Sequence, residues 1–375
     1  MQFIDLNSQH KLIEDKVKDS LNDIFTNSRY IMGSEVTEIE NRLAEFTEAK
    51  HAIACASGTD ALQIALMALD LKAGDEVITT PFTFFATGEV IALLGLKPVF
   101  VDIERKSYNI NPELIEDKIT NRTKAIIPVS LYGQCANMDK INAIAQKHGI
   151  TVIEDAAQSF GAEYKDRKSC NLSEISTTSF FPSKPLGCYG DGGMVFTNND
   201  KIADKLRMIR NHGQEQRYHH PILGVNSRLD TMQAAVLLAK MDIFANEVES
   251  RKRIGARYSK LLSDFVKTPI VLENQTHIYA QYTIEVDNRE QFCASMKDLG
   301  IPTAVHYPVP LHFQPVFKDV EVKEGELAIA EEVAQKVVSL PMHPYLDEET
   351  QDKVIEGVKK CLQDQSQGEK SALAS

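Results

Sequence analysis

The chain has 375 residues, 43% hydrophobic and 25% charged, which suits one or two globular domains and excludes disordered and collagen-like classes. Its 41 basic and 53 acidic residues leave a net charge of −12, which disfavours general binding to nucleic acid or anionic membrane. No apolar run approaches the ~18–20 residues of a membrane helix, and the start, MQFIDLNSQHKLIEDK, lacks an export pattern, so a soluble, cytoplasmic protein is expected.

In chain order, the pattern predicts strands at His51–Ala56, Glu76–Thr79, Pro98–Ile103, Lys124–Ser130, Ile150–Glu154, Ser176–Phe181 and Gly193–Thr197. Helices are expected between them at Asp60–Leu71, Ala86–Leu94, Pro112–Ile119 and Met138–His148. Strand runs such as AIIPVS and TVIED are apolar with little alternation, as when helices cover both faces of a mostly parallel sheet. Further helices are expected at Asp200–Arg210, Thr231–Met241 and Asn246–Asp264. After them come a strand at Tyr279–Val286, a helix at Arg289–Leu299, a strand near Thr303–His306 and helices near Glu324–Val338 and Glu348–Cys361. This predicts an α/β domain over 1–245, a smaller α+β domain over 246–363 and a polar, flexible tail at 364–375. The apolar run TMQAAVLLA is a candidate to pack across a two-fold interface.

Chemistry is concentrated in three places. Ser57-Gly58-Thr59-Asp60 lies between a strand and an apolar helix, where glycine allows close approach and free N–H groups suit a phosphate; ordinary N-capping explains the same residues. Glu154-Asp155-Ala156-Ala157-Gln158 ends a strand, and ligands of open α/β sheets lie outside the carboxyl ends of strands; a helix N-cap is the alternative. In SFFPSKPLGCYGDGG, Lys184 stands between two prolines and is followed by four glycines within nine residues, which positions a lysine that would otherwise be an exposed loop residue. The six cysteines are scattered with no CxxC pair, so metal-ligand spacing is absent and reduced thiols are expected.

Together these are the parts that hold pyridoxal 5'-phosphate: a phosphate cradle, a strand-end carboxylate 29 residues before a lysine, and a serine five before it. At this point the sequence resembles the DegT/DnrJ/EryC1/StrS sugar aminotransferases, of the aspartate-aminotransferase-like fold (fold type I). The resemblance rests on SRYIMGSEV, ASGTDAL, TPFTFFAT, IEDAAQSFGA, SFFPSKPLGCYGDGG, GVNSRLDTMQAA and TAVHYPVPLH, and runs from FIDLNSQ to SLPMHPYLD. It implies that Lys184 binds the cofactor, that Asp155 faces the pyridine nitrogen and Gln158 the ring hydroxyl, and that Phe84 stacks on the ring. Gly58, Thr59, the amide of Asp60 and Ser179 are implied to hold the phosphate. Asn226 is implied to reach the phosphate of a neighbouring subunit, hence a homodimer with shared sites.

Tyr30, Arg228, His306 and Tyr307 match positions where relatives contact a nucleotide-sugar. The implied partners are L-glutamate and a UDP-linked ketosugar. The longer near-matches through SCNLS, RYHH and AQYT resemble the branch that aminates C3 of a UDP-linked 3-keto-N-acetylglucosaminuronic acid, a step toward bacterial O-antigen sugars. A basic cluster, Arg207, Arg210, His212, Arg217, His219 and His220, opposed only by Glu215, is either a solvated face or a site for an anionic substrate. The sister sugar dehydratases carry His where this chain has Lys184. A non-catalytic sensor on the same fold is disfavoured because Lys184, Asp155 and the cradle are all present. A dinucleotide oxidoreductase is disfavoured because ASGTDA is not a G-x-G-x-x-G turn.

Overall fold

The computed structural model describes residues 1–373, with side chains as far as Gln365. The end of the expected tail, 374–375, lies outside the described residues. Two helices, α1 (Leu6–Asn27) and α2 (Ser34–Thr47), precede the first strand and were absent from the expected elements. Their signal was present in the sequence. Asp5 caps α1 by accepting the Ser8 N–H at 2.9 Å, and Val36, Ile39 and Leu43 fall at helical spacing on the buried face of α2.

The alternating region follows as β1 (His51–Cys55), α3 (Gly58–Ala68), β2 (Glu76–Thr79), α4 (Ala86–Leu93), β3 (Lys97–Phe100), β4 (Thr123–Ile127), α5 (Met138–His148) and β5 (Thr151–Asp155). A short hairpin, β6 (Glu163–Tyr164) and β7 (Arg167–Lys168), leads to β8 (Ile175–Ser179), β9 (Gly193–Thr197) and α6 (Asp200–Ile209). The expected helix at Pro112–Ile119 is instead two 3₁₀ turns, Pro112–Leu114 and Glu116–Lys118.

The main sheet has the order β1-β9-β8-β5-β4-β2-β3, parallel except that β9 runs antiparallel to both neighbours. Period-two alternation divides its side chains between two cores. Ala52, Ala54, Ile126, Val152 and Phe196 pack on one face with α2 and α5, whereas Ile53, Ala125, Ile127, Ile153 and Val195 pack on the other with α3, α4 and α6. Both faces are covered, which is why the strands read as continuous apolar runs.

A third core gathers the later part of α7 (Thr231–Leu262), β10 (Tyr282–Glu285), α8 (Arg289–Asp298), β11 (Val337–Leu340) and α10 (Glu348–Leu373), while α9 (Ala328–Lys336) packs Ala330, Val333 and Ala334 against Phe82, Tyr108 and Tyr132. Four expectations change here. The two helices expected at Thr231–Met241 and Asn246–Asp264 are one 32-residue helix, running unbroken past residue 245. The helix expected at Glu324–Val338 is shorter, and its last residues turn into β11, which pairs antiparallel with β10. The strand expected near Thr303–His306 reduces to one bridge, Ala304 to Ser339. Finally, the apolar start of α7 is not an open face: Ala234, Val236, Leu237 and Ala239 are buried within the chain, partly against Ile13 and Val17 of α1. Among the described residues, no helix is long and apolar enough to cross a membrane.

Candidate active site

Because β1, β5 and β8 point the same way, their carboxyl ends open on one edge of the sheet. The segments leaving them carry Ser57–Thr59, Asp155–Gln158 and Ser179–Lys184. A cavity of about 460 Å³ lies there, within the range of small-ligand sites. Its walls include Gly58, Thr59, Phe84, Asp155, Gln158, Ser179, Lys184, His306 and Tyr307.

At the cradle end, Ser57 caps α3 by accepting the Asp60 N–H at 3.0 Å. That bond occupies the amide expected to meet a phosphate, and the Asp60 side chain does not line the cavity. The N–H groups of Gly58 and Thr59, as first positions of a helix, have no intrahelical acceptor and suit an anion. Gly58 is required here: a Cβ would stand 2.5 Å from Ser179 Cβ, pushing β8 away from the cradle.

Asp155 and Glu154 occupy opposite faces of β5. Glu154 is enclosed away from the cavity, accepting from Ser169 Oγ (3.0 Å), Ser176 Oγ (3.0 Å) and Cys170 N–H (3.1 Å), and burial pushes its carboxyl up to about 7. Asp155 faces the cavity. Its carboxylate accepts from Thr87 Oγ1 at 2.9 Å and the Ala157 N–H at 3.2 Å. Burial raises the Asp155 pKa, opposed by those two donors and by Lys184. Burial also holds the Lys184 ammonium below its ordinary range, with the Asp155 charge pulling the other way. A desolvated amine and a buried carboxylate thus share one cavity.

Gln158 is fixed at both ends of its amide, Oε1 accepting the Tyr132 N–H at 2.9 Å and Nε2 donating to Tyr307 Oη at 3.2 Å. Phe84, 55% exposed, lies 6.0 Å from the Tyr307 ring. His306 is held through Nδ1 to Ser339 Oγ at 2.9 Å, and burial, with Lys184 adjacent, lowers it to about 4. Its imidazole is therefore neutral near pH 7 and offers a hydrogen bond rather than a charge.

Tyr30, Asn226 and Arg228 do not line this cavity. They sit together elsewhere: Asn226 bridges Asn211, Ile31 bridges Asp230, and the Tyr30 carbonyl accepts the Thr231 N–H at 3.0 Å. Arg228 donates from Nη1 to Asn211 Oδ1 at 3.0 Å, while its buried Nε has no hydrogen-bond partner among the described residues. The basic cluster is not one patch. Arg210 is buried against Glu40 and the Ala54 carbonyl, Arg207 pairs with Asp204, and His212 and the loop at 215–220 are solvent-facing.

Thr87, Tyr132 and Gln281 were not identified from sequence, although Thr87 and Gln281 fall within the quoted runs TPFTFFAT and AQYT. Each reaches the site only by packing between distant segments.

This donor set fits pyridoxal phosphate. Free helix-N-terminal amides and two hydroxyls suit its phosphate, the buried Asp155 suits a ring nitrogen cation, the Lys184 amine suits its aldehyde, and the volume is adequate. The model of the DegT/DnrJ/EryC1/StrS aminotransferase family matches residues 11–359. The UDP-2-acetamido-2-deoxy-3-oxo-D-glucuronate aminotransferase of Pseudomonas aeruginosa is 57% identical over 348 residues, covering 92% of this chain and 96% of that protein. A DegT DnrJ EryC1 StrS aminotransferase from Brucella abortus superposes with a TM-score of 0.94 at 44% identity, covering 96% of this chain and 99% of that one. NtdA from Bacillus subtilis with bound cofactor PMP superposes at 0.88 with 30% identity, covering 96% and 83%. With its site, its fold and nearly its whole length in agreement, the chain belongs to the DegT/DnrJ/EryC1/StrS aminotransferase family and is a pyridoxal-phosphate-dependent enzyme.

Proposed function

We propose that the enzyme moves an amino group from L-glutamate to C3 of a UDP-linked 3-keto-N-acetylglucosaminuronic acid, leaving 2-oxoglutarate and the 3-amino sugar. The observation that carries this reading is the 57% identity, across nearly the whole of both chains, to a relative named for that activity. The setting is cytoplasmic synthesis of a bacterial O-antigen sugar, with the chain divided near residue 245 into a cofactor-binding and a smaller domain.

When bound, pyridoxal phosphate supplies the electron sink that stabilises negative charge on the reacting carbon. Asp155 would keep the ring nitrogen protonated, and Thr87 and the Ala157 amide hold Asp155. Gly58, Thr59 and Ser179 would hold the phosphate, Phe84 would cover the ring, and Gln158 would meet its hydroxyl. Lys184 would hold the cofactor through its amine and would carry the proton to and from the reacting carbons; its desolvated amine is suited to that task. His306 and Tyr307 contact the sugar by hydrogen bonds.

Asn226, Tyr30 and Arg228 serve the site of a neighbouring subunit. Their absence from the lining of their own chain's cavity and the exposed apolar side chains near them in sequence (Ile31, Met32, Leu223) support a homodimer. Incubation of holoenzyme and glutamate with a panel of nucleotide ketosugars, with products identified by NMR, is expected to yield amination at C3 of the uronate. Preference for a 4-ketosugar would overturn the substrate reading. For the shared site, mixing inactive Lys184→Ala and impaired Arg228→Ala subunits is expected to raise activity on the uronate above that of either variant alone; mixtures that exchange subunits without that gain would refute it.

A further inference from the structure

Tyr132 is a buried residue to which the proposed reaction assigns no role, yet three of its polar groups engage cavity-lining residues. It lies in the 3₁₀ turn Leu131–Gly133 with φ 58° and ψ −3°, a conformation that a bulky side chain rarely adopts. Its N–H donates to Gln158 Oε1 at 2.9 Å, its carbonyl accepts the Gln281 N–H at 3.4 Å, and its hydroxyl donates to the His306 carbonyl. Gln158 belongs to the strand-end segment expected to meet the cofactor ring, whereas Gln281 and His306 come from the later part of the chain. All three line the cavity.

The surroundings leave this turn little freedom. The Tyr132 ring meets Tyr108 edge-on at 5.7 Å and Phe82 at 6.4 Å. Next to it, Gly133 has φ 113°, and a Cβ there would stand 2.8 Å from the Tyr279 amide nitrogen. The Gly133 carbonyl accepts the Ile278 N–H at 2.9 Å, so the turn is pressed against the chain entering β10. A conformation of this kind persists only where its surroundings over-determine it, and such residues gather at functional sites. One further detail points toward ligand: the side-chain Oε1 of Gln281, whose backbone N–H bonds the Tyr132 carbonyl, is buried without a hydrogen-bond partner among the described residues.

We propose that Tyr132 is a positioning residue that sets the sugar-facing wall, Gln281 and His306–Tyr307, in register with the cofactor-facing Gln158, so that Gln281 Oε1 accepts a hydrogen bond from an N–H or O–H of the nucleotide-sugar. The proposal rests on the aminotransferase reading above. It separates two duties: Lys184 and Asp155 act in both halves of the reaction, while Tyr132 acts chiefly when the large substrate must fit between the two walls.

Tyr132→Phe keeps the ring packing and the backbone bond to Gln158 and removes only the hydroxyl bond to His306. In holoenzyme, the two half-reactions can be followed separately through the cofactor absorbance, once with glutamate and once with the ketosugar. The expected result is a rise of about 3- to 10-fold in KM for the sugar, the range for one lost hydrogen bond, with kcat, the glutamate half-reaction and Tm little changed. Gln281→Leu is expected to raise the same KM and leave glutamate unaffected. Tyr108→Phe removes a hydrogen bond to Glu285 that does not touch the cavity (2.7 Å) and is expected to leave the sugar KM unaltered. An unchanged sugar KM in Tyr132→Phe overturns the proposal. So do equal losses in both half-reactions with a lowered Tm, or an equal effect of Tyr108→Phe, either of which would mark general destabilisation. If wild-type enzyme rejects the uronate, the substrate reading fails by itself, and the same comparison is made with the ketosugar it does aminate.

Discussion

Lys184→Ala is expected to lose turnover by about 10²- to 10⁴-fold or more, the range attached to a positioned acid–base group, while still taking up pyridoxal phosphate. The physical reason lies in how the side chain is held. Burial lowers the Lys184 pKa, which increases the share of neutral amine near pH 7, and Asp155 limits that shift without making a direct ion pair among the described contacts. The cradle at Gly58 and Thr59, with Asp155 behind it, does not depend on the lysine, so non-covalent binding should survive. Borohydride treatment of wild-type protein should fix the cofactor on the peptide that contains Lys184, as read by mass spectrometry. Retained activity in Lys184→Ala, or label on another peptide, would refute the assignment.

Arg228→Ala is expected to reduce efficiency with the uronate by about 10- to 100-fold and to affect the matching neutral 3-ketosugar far less. Loss of a charge-assisted hydrogen bond costs roughly 1.5–3 kcal/mol, and a guanidinium can meet a carboxylate through two parallel bonds. In the structure the guanidinium engages only the neutral Asn211, through Nη1, and its Nε is unpartnered among the described residues. An ion pair of Arg228 with Asp230 is not observed among the described residues, and its bond goes to the neutral Asn211, which leaves the charge available to an anionic ligand. His306, being neutral, cannot replace it. Equal losses on both sugars would remove the carboxylate role.

Much of the site was legible because it follows from local patterns. A strand that ends in Asp155, a Ser-Gly-Thr turn entering an apolar helix, and a lysine between prolines before a run of glycines lie on contiguous segments. Strand ends of a parallel sheet bring such segments to one edge whatever the loop details. The double-sided burial of β4 and β5 was likewise visible in their unbroken apolar runs.

What the sequence left open was decided by contacts between distant segments. Helix α7 looks like two helices because charged residues interrupt its apolar pattern: Glu247 and Arg251 are buried where the helix passes from the core holding Phe244 to the one holding Ile254. The passage from α9 to β11 carries no glycine or proline, so only pairing with β10 turns Val337–Leu340 into a strand. The apolar start of α7 suggested an interface in one dimension and proved to be core in three. Sequence alone therefore determined the strands of the sheet, the family, and many of the residues that line the cavity, among them Gly58, Asp155 and Lys184. Tertiary structure decided which groups complete the site, because Thr87, Tyr132 and Gln281 act through hydrogen bonds spanning 68, 174 and 149 residues, from Thr87 to Asp155, Tyr132 to His306 and Gln281 to Tyr132. Polar side chains of that kind have no periodicity of their own, and their partners are selected only when the cores on either side have packed.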